Sequence, residues 1–284
     1  MAREFTPRPY QEIAAQFLID TPRCALWAGM GMGKTSTALT TLDLIEMAGE
    51  RAFPALVLAP KRVARDTWPN EQKKWAHLKG LKLAAIVGDE KSRLAAMRSG
   101  ADIFTSNYEQ LPWLIDRLGE RWPFRVVVAD ESTRLKGFRI SQGGKRAQAL
   151  SKVAHKPTRW INLTGTPAPN GLIDLWGQTW FLDFGQRLGN TFSAFRDRWF
   201  QRGYDGFSQK PMPHSFDEVQ DRLKDICLTL DPKDWFDIQE PIAQQIRVNL
   251  PPAVMKKYHE LETTMFTELM CGTEVEAFNA MALT

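Results

Sequence analysis

The sequence predicts an α/β fold in which helices cover both faces of a parallel β-sheet. Short apolar runs rich in β-branched residues recur along the chain, and segments of helical character separate them. Most of these runs are continuously apolar rather than apolar at alternate positions, which is typical of strands buried on both faces. In such sheets ligands bind beyond the carboxyl ends of the strands. The predicted strands are Cys24–Ala28, Ala55–Ala59, Leu83–Val87, Asp102–Thr105, Val126–Ala129 and Trp160–Leu163.

Helices are predicted between these strands. After the first strand, Ala38, Leu39, Leu42 and Ile45 have the spacing of one helical face. The alternation of strands and helices favours a parallel sheet over hairpins. The other predicted helices are Ala64–Trp75, Lys91–Arg98, Tyr108–Leu118 and Lys145–Val153.

The composition is that of a globular protein. The chain has 284 residues, 43% of them hydrophobic and 25% charged, with a formal net charge of +4 that permits a polyanionic partner without demanding one. No apolar run approaches the ~20 residues of a membrane span, and the first residues lack the apolar core of a secretion signal. The cysteines show neither zinc-site nor disulfide spacing. We expect an intracellular protein of the cytoplasm, nucleoid or nucleus that is not secreted and has no membrane partner.

A glycine-rich turn, Ala28–Thr35 (AGMGMGKT), follows the first predicted strand. Between a strand and a helix this pattern is typical of a P-loop, because glycines let backbone N–H groups face phosphate oxygens and the helix adds its positive end. We expect Lys34 to contact the β- and γ-phosphates and Thr35 to bind Mg²⁺. A glycine-rich turn without function is the alternative. The nucleotide-binding residues predicted here are Gly29, Met30, Gly31, Met32, Gly33, Lys34 and Thr35.

The predicted strand Val126–Ala129 ends in two acids, Asp130 and Glu131. Phosphoryl transfer needs a carboxylate on the metal as well as a cradle for the triphosphate. We therefore assign Asp130 to Mg²⁺ and Glu131 to the attacking water, which makes Lys34, Asp130 and Glu131 the candidate catalytic residues. Alone, this motif is a weak signal, because a buried strand often ends in surface carboxylates, which is the alternative.

The next predicted strand leads into Leu163–Pro167 (LTGTP). Hydroxyl groups of Thr164 and Thr166 at this strand end can hydrogen-bond the neighbouring carboxylates and sense the γ-phosphate. We expect these two threonines to couple the nucleotide state to the rest of the molecule. A Gly-Pro turn with incidental threonines is the alternative.

In combination, these motifs resemble those of superfamily 2 helicases and translocases, and among them the Swi/Snf-type DNA translocases. The resemblance implies a RecA-like P-loop NTPase fold with ATP and Mg²⁺ as cofactors. It also implies that Gln11, within Arg8–Gln11, reads the edge of the adenine base. Leu163–Asn170 (LTGTPAPN) and the following Leu172–Phe184 are close to the Swi/Snf form. The other matching segments are Ala28–Thr35, Leu56–Pro60, Ile103–Glu109, Asp130–Lys136 and Val248–Pro251.

The resemblance further implies a nucleic-acid partner, which we expect to be double-stranded DNA because Swi/Snf-like motifs usually belong to duplex translocases. Basic and hydroxyl side chains near strand ends are the candidates for contacts with the phosphate backbone. For each basic residue, a solvated surface charge is the alternative. The candidates are Lys61, Arg62, Thr105, Ser106, Arg134 and Lys136.

The chain changes character past residue 172, where aromatic side chains become dense. We expect residues 1–172 to form a RecA-like ATP-binding lobe, 173–240 a C-terminal helical appendage, and 241–284 the start of a second lobe that is truncated or absent. Within these parts we predict a loop over Gly203–Pro213, a helix over Asp217–Cys227 and a strand over Ile242–Leu250. A further helix is predicted from Pro251 to about Leu269.

Two departures from the family pattern affect the expected activity. Ser132 and Thr133 stand where a coupling histidine is usual. The sequence also lacks a recognisable second parallel-sheet domain and a late arginine motif, which in the family complete the ATP site. We therefore expect the chain to bind Mg-ATP but to hydrolyse it poorly unless a second motor lobe is supplied in cis or in trans.

The leading interpretation is an ATP-dependent DNA translocase or helicase motor lobe. Another P-loop DNA motor, such as a viral packaging ATPase, is the runner-up, although Gln11 and Leu163–Pro167 argue against it. The third alternative is a nucleotide-binding module that regulates partners without productive hydrolysis.

Overall fold

The computed structural model of the chain describes residues 2–140, 143–203, 209–236, 251–264, 266–268 and 274–276. The chain divides into two compact units, Met1–Ile238 and Gln239–Thr284. The division predicted between residues 172 and 173 falls inside the first unit. The strands of this unit are β1 (Arg23–Ala28), β2 (Ala55–Ala59), β3 (Leu83–Ile86), β4 (Ile103–Asn107), β5 (Val126–Asp130), β6 (Arg159–Thr164), β7 (Phe200–Arg202), β8 (Gln209–Pro211) and β9 (Cys227–Leu230).

Seven of these strands form one sheet in the order β3-β4-β2-β5-β6-β1-β9, and all neighbouring strands in it are parallel. The carboxyl ends of the strands therefore meet at one edge of the sheet. The strands β7 and β8 form a separate antiparallel pair. The helices of the unit are α1 (Pro9–Asp20), α2 (Lys34–Met47), α3 (Trp68–Lys74), α4 (Glu90–Met97), α5 (Leu111–Leu118), α6 (Lys145–Ser151), α7 (Leu175–Asp183), α8 (Phe192–Trp199) and α9 (Ser215–Leu223).

Helices cover both faces of the sheet. Successive residues of the central strands belong to different core clusters: Val127 packs in one, whereas Val126 and Val128 pack in the other. The first cluster contains residues of α5–α9, and the second contains residues of α1–α3. This arrangement confirms the predicted α/β fold with a parallel sheet. It also explains why the central strands β2 and β5 are almost continuously apolar, since both of their faces are buried.

The segment after residue 172 contains a strand that the sequence analysis did not predict. A helix was expected over Asp217–Cys227, but α9 ends at Leu223 and Cys227 begins β9. The strand β9 then pairs with β1, with Ala25 opposite Cys227. In its described residues, the predicted appendage therefore contributes the helices α7, α8 and α9 and also the edge strand of the main sheet. In addition, Gln209–Pro211, predicted as part of a loop, is the strand β8.

The second unit contains a helix, α10 (Pro252–Thr264), and an antiparallel pair of strands, β10 (Phe266–Glu268) and β11 (Glu274–Glu276). The helix predicted from Pro251 ends earlier than expected. The strand predicted over Ile242–Leu250 lies outside the described residues. Across the described part of the chain, no helix combines the length and apolar character that crossing a membrane requires.

Candidate active site

The glycine-rich turn lies between β1 and α2, at the edge where the strand carboxyl ends meet. Gly33 precedes the helix with φ 73° and Gly31 has φ 81°, a left-handed conformation that glycine adopts without steric cost. A Cβ atom on Gly33 would lie 2.3 Å from Nε2 of Gln11. The turn therefore favours glycine for its backbone shape, and the end of the Gln11 side chain fills the space that a Cβ atom on Gly33 would take. Met30 is 92% exposed at the tip of the turn, whereas Met32 is buried.

Lys34 begins α2 and folds back over this turn. Its Nζ donates hydrogen bonds to the carbonyl oxygens of Ala28, at 2.7 Å, and Gly29, at 3.0 Å. Burial lowers the pKa of Lys34, and the nearby charges of Asp130 and Glu131 oppose that shift. The ammonium group is thus held in the turn by two carbonyl oxygens that an incoming phosphate could replace as its partner.

Asp130 ends β5 as a buried carboxyl group, 7% exposed. Its Oδ2 accepts a hydrogen bond from the indole Nε1 of Trp68 at 2.9 Å, and its Oδ1 accepts one from the backbone N of Glu131 at 3.1 Å. Burial is the largest influence on this group and raises its pKa. The Tyr108 hydroxyl donates to the backbone oxygen of Asp130 at 2.8 Å. Two aromatic side chains therefore fix the end of this strand.

Glu131 has a left-handed backbone, with φ 55° and ψ 54°. A residue with a Cβ atom is uncommon there, because the conformation costs roughly 1–2 kcal/mol. The side chain of Glu131 is half-buried, unlike the buried Asp130 before it. The unusual backbone thus lets the two adjacent carboxylates have different environments. Such strain is often found at functional sites.

The Leu163–Pro167 motif lies directly beside both other motifs. In the sheet Thr164 pairs with Trp27 of β1, and Leu163 pairs with Asp130. A Cβ atom on Gly165 would lie 3.4 Å from the Ala28 oxygen and 3.8 Å from Nζ of Lys34. The Thr164 hydroxyl accepts a hydrogen bond from the backbone N of Thr166 at 3.2 Å. Thr164 is buried and Thr166 is exposed, so only the second can meet a ligand directly.

Gln11 lies in the first turn of α1 and is 8% exposed. Its Oε1 accepts a hydrogen bond from the backbone N of Arg8 at 2.9 Å, which leaves its Nε2 directed toward Gly33. A cavity of about 370 Å³ opens beside it between α1 and α2. Phe5, Gln11, Thr37, Thr40 and His77 contribute to its lining.

The side-chain oxygen atoms of the site are suited to bind a magnesium ion. Thr35 is half-buried in the first turn of α2, and each carboxylate oxygen of Asp130 accepts one hydrogen bond, which leaves acceptor capacity. Within the described ranges, no three His, Cys, Asp or Glu side chains are grouped to hold a metal ion. Mg²⁺ is commonly bound through one or two carboxylates together with substrate phosphates and waters, so a sparse oxygen site of this kind suits it.

The predicted basic contacts have different environments. Lys61 and Arg62 are exposed and follow the carboxyl end of β2. Arg134 is also exposed, but its guanidinium lies 3.4 Å from a carboxylate oxygen of Glu109. Lys136 Nζ lies 3.3 Å from a carboxylate oxygen of Asp174. All four therefore lie near the strand carboxyl ends, and two of them have partners within the chain.

Thr105 and Ser106 do not reach the surface. Both are fully buried within β4. The Thr105 hydroxyl donates to the Ala64 carbonyl oxygen, and the Ser106 hydroxyl donates to the Ile86 carbonyl oxygen at 3.2 Å. The prediction that these hydroxyls contact a nucleic-acid backbone is therefore wrong for this structure. They instead satisfy carbonyl groups of neighbouring segments.

Sequence reasoning missed several residues that organise the site. Trp68 was predicted only as part of the helix Ala64–Trp75, and its bond to Asp130 spans 62 positions of sequence. Gln178 is buried on α7 and accepts a hydrogen bond from Ser132, yet no pattern in the sequence of α7 predicted that this side chain belongs to the site. Arg146 pairs with Glu109 at 3.0 Å and adds a cation beside Arg134. These contacts join segments that are distant in sequence, so no local pattern predicts them.

Comparisons with known proteins agree with this arrangement. The profile of the SNF2-related domain matches residues 10–269. Protein p41 of Acyrthosiphon pisum secondary endosymbiont phage 1 is 49% identical over 288 residues, which cover 99% of this chain and 62% of p41. Helicase SWR1 of Mycosarcoma maydis is 31% identical over 189 residues, which cover 62% of this chain and 10% of the helicase.

The fold is also similar to a solved structure, the Sulfolobus solfataricus SWI2/SNF2 ATPase core in complex with dsDNA. The TM-score is 0.67 at 24% identity, over 92% of this chain and 54% of the Sulfolobus chain. This chain thus spans less than two thirds of the length of each of these three proteins.

Proposed function

This chain belongs to the SNF2-related domain family, and we propose that it is a motor lobe that binds Mg-ATP and uses its hydrolysis to move on duplex DNA. The observation that carries the proposal is the meeting of three loops at one sheet edge. Gly165 adjoins both Ala28 and Lys34, and Leu163 pairs with Asp130. A phosphate cradle, a buried carboxylate and a sensing loop are the parts that phosphoryl transfer by a P-loop enzyme requires.

In this proposal, the backbone of Gly29–Gly33 surrounds the phosphates and the ammonium of Lys34 exchanges its carbonyl partners for β- and γ-phosphate oxygens. Thr35 and Asp130 hold Mg²⁺, which when bound neutralises charge on the phosphate oxygens. Glu131 orients the attacking water, because its half-buried carboxylate adjoins the metal-binding one. Its left-handed backbone supports that assignment, since strain of this kind tends to persist where function requires it.

We propose that Gln11 recognises the adenine base. Its Nε2 faces the phosphate turn at Gly33, and a cavity of about 370 Å³ adjoins it. Thr164 and Thr166 then report the state of the γ-phosphate. The buried Thr164 hydroxyl accepts a hydrogen bond from the backbone N of Thr166, which keeps the exposed Thr166 hydroxyl near the nucleotide.

DNA contact is assigned to the exposed cations at the carboxyl edge of the sheet. Lys61 and Arg62 are the primary candidates because no hydrogen bond to another part of the chain engages either side chain among the described contacts. Arg134 and Lys136 would have to exchange Glu109 and Asp174 for phosphate oxygens. The similar Sulfolobus ATPase core is in complex with dsDNA, which supports a duplex track here as well. Contacts of this type are independent of sequence, as a sliding motor requires.

We further propose that rapid hydrolysis needs a second lobe, in cis or in trans, that brings an arginine to the γ-phosphate. Loss of such an arginine costs ~10³–10⁵ in rate in P-loop enzymes. The chain as given would therefore bind Mg-ATP but turn it over slowly.

ATP hydrolysis with and without duplex DNA tests the function. Glu131→Gln serves as the background control, and binding of a fluorescent ATP analogue is measured in parallel. We expect nucleotide binding by both proteins and slow turnover by the unsubstituted chain alone. DNA-stimulated turnover at a rate of ~1–100 s⁻¹, the range of kinases, would contradict the need for a second lobe. Failure to bind the nucleotide would contradict the proposed function itself.

A further inference from the structure

A single buried amide joins the loop that carries the candidate metal carboxylate to the loop that carries the threonines. Gln178 of α7 is 1% exposed. Its Oε1 accepts a hydrogen bond from the Ser132 hydroxyl at 2.9 Å, and its Nε2 donates to the carbonyl oxygens of Pro167 and, at 3.1 Å, Asp174. The orientation of the amide follows from these partners, because a carbonyl oxygen can only accept.

The two loops reach this amide immediately next to the candidate catalytic groups. Ser132 follows Asp130 and Glu131 and is itself fully buried. Pro167 follows Thr166 on the other loop. If nucleotide binding displaces the Asp130–Ser132 segment, the hydrogen bond between Ser132 and Gln178 must therefore lengthen, or the Gln178 side chain must move with Ser132. The opposite end of that side chain would move the Thr164–Pro167 segment.

The backbone of Gln178 is also held in place. Its backbone oxygen accepts a hydrogen bond from Nδ2 of Asn162 in β6 at 2.9 Å. The preceding Gly177 lies so close to the turn after Ser132 that a Cβ atom there would be 2.5 Å from the Lys136 oxygen. These contacts fix the backbone of residues 177 and 178, so a displacement of Ser132 is taken up by the Gln178 side chain, whose other hydrogen bonds reach Pro167 and Asp174. Asp174 makes a second connection, from Lys136 Nζ to the backbone N of Asn170, but it lies farther along both loops.

We propose that Gln178 is a positioning residue that couples the nucleotide state at Asp130 and Glu131 to the Thr164–Pro167 loop. This inference rests on the proposed function, because it requires ATP to bind between those loops. Ser132 and Thr133 together form the first of the two departures from the family pattern. The hydrogen bond to Gln178 gives Ser132 a partner within this chain.

Hydrogen exchange measured by mass spectrometry tests the coupling. The chain is compared with and without Mg²⁺ and a non-hydrolysable ATP analogue, and exchange is followed separately in peptides covering 28–35 and 164–171. Without substitution, we expect the analogue to slow exchange in both. In Gln178→Met, which keeps the length of the side chain, we expect slowing over 28–35 to persist. The slowing over 164–171 should fall by at least ~5-fold, the lower end of ordinary coupling between sites.

Thr179→Val is the matched control. Thr179 lies on the same helix, is 2% exposed, and its hydroxyl donates to the Leu175 oxygen of its own helix at 2.9 Å. This variant also loses a buried hydrogen bond but should retain the response over 164–171. The double variant Ser132→Ala/Gln178→Met removes both partners and so leaves no unpaired hydroxyl, in case Gln178→Met alone folds poorly.

The outcomes separate this inference from the function on which it rests. An unchanged response over 164–171 in Gln178→Met or in the double variant, or an equal loss in Thr179→Val, would overturn the positioning role while leaving ATP binding intact. A response over 28–35 but none over 164–171 in the unsubstituted chain would also overturn it. If neither peptide responds in the unsubstituted chain, the proposed ATP site itself is wrong and the inference fails with it.

Discussion

At the scale of single residues, the candidate site maintains two arrangements that cost folding free energy. Asp130 is a buried carboxyl group whose pKa is raised by that burial. The next residue, Glu131, has a left-handed backbone. The parallel sheet needs neither feature, since a neutral side chain or a glycine would serve its geometry better. Such costs are typical of positions kept for function.

Asp130→Asn should make the nucleotide-free protein more stable. Because the folded state raises the pKa of this carboxyl, its ionisation at neutral pH opposes folding; that cost shrinks as the pH falls below the raised pKa and is gone once the pH is below the group's ordinary pKa. Asparagine retains an oxygen that accepts from the Trp68 indole and removes the charge, while its NH2 group replaces the oxygen that accepts from the backbone N of Glu131. We expect a gain on the order of 1 kcal/mol in unfolding free energy at neutral pH, measured by urea denaturation. The gain should shrink at acid pH, and a loss of stability at neutral pH would contradict this account.

Glu131→Gly should relieve the strained backbone. Glycine adopts the left-handed conformation freely, so we expect an increase of about 1 kcal/mol in unfolding free energy relative to Glu131→Gln. The glutamine variant is the matched control because it has the same Cβ atom and no charge. Both variants should lose ATP hydrolysis. Equal stability of the two would show that the backbone relaxes without cost.

At the scale of elements, helix α7 connects the loops after β5 and β6. It carries Gly177 against the turn that follows Asp130 and Glu131, and its Gln178 contacts the loop that follows Thr166. This helix is therefore part of the site although it contributes no side chain to the nucleotide in the proposed arrangement.

Gly177→Ala should disturb this packing strongly. The added Cβ atom would lie 2.5 Å from the Lys136 oxygen and 2.6 Å from the Leu135 oxygen, both backbone atoms that cannot rotate away. We expect a loss of about 1–3 kcal/mol in unfolding free energy, as for other overpacked sites. Gly137→Ala is the control, because a Cβ atom there meets nothing within 4 Å. Similar effects of the two changes in urea denaturation would rule out the steric explanation.

The sequence predicted those elements whose signal is local. The glycine-rich turn, the two acids after an apolar run and the six predicted strands each have a pattern within a few residues. The strand β9 does not, since it has four residues, directly follows a helix, and pairs with β1 about 200 positions away in sequence. Thr105 and Ser106 were misassigned for a related reason. A hydroxyl at a strand end reads the same whether it faces solvent or a distant carbonyl such as that of Ala64.

At the scale of the whole molecule, exposed basic side chains lie at both the carboxyl and the amino ends of the parallel strands. Lys61 and Arg62 follow the carboxyl end of β2, whereas Arg98 and Arg117 lie at the C-terminal ends of α4 and α5, which run back toward the opposite edge. A net charge of +4 alone would not distinguish these pairs. The proposed function assigns DNA to the carboxyl edge only.

The double variant Lys61→Ala/Arg62→Ala should therefore weaken duplex DNA binding and its dependence on salt. Each lost phosphate contact reduces the slope of log K against log salt by ~0.9, so we expect a reduction of about 2. Fluorescence anisotropy across a salt series measures it. Arg98→Ala/Arg117→Ala removes the same charge from exposed positions at the other edge and should leave the slope unchanged. Equal effects of the two pairs would mean that DNA binding follows net charge and not this edge.

The position of β9 also affects how the protein is made. On the ribosome, the strand that carries the phosphate turn emerges early, but one of its two neighbours, β9, is completed only at Leu230. Until then β1 presents an unpaired row of backbone groups, which is an aggregation hazard in a nascent chain. A chain cut before Cys227 would keep every candidate catalytic residue and still leave that edge open. Full pairing of the strand that leads into the glycine-rich turn therefore waits for a strand that contributes no candidate catalytic residue.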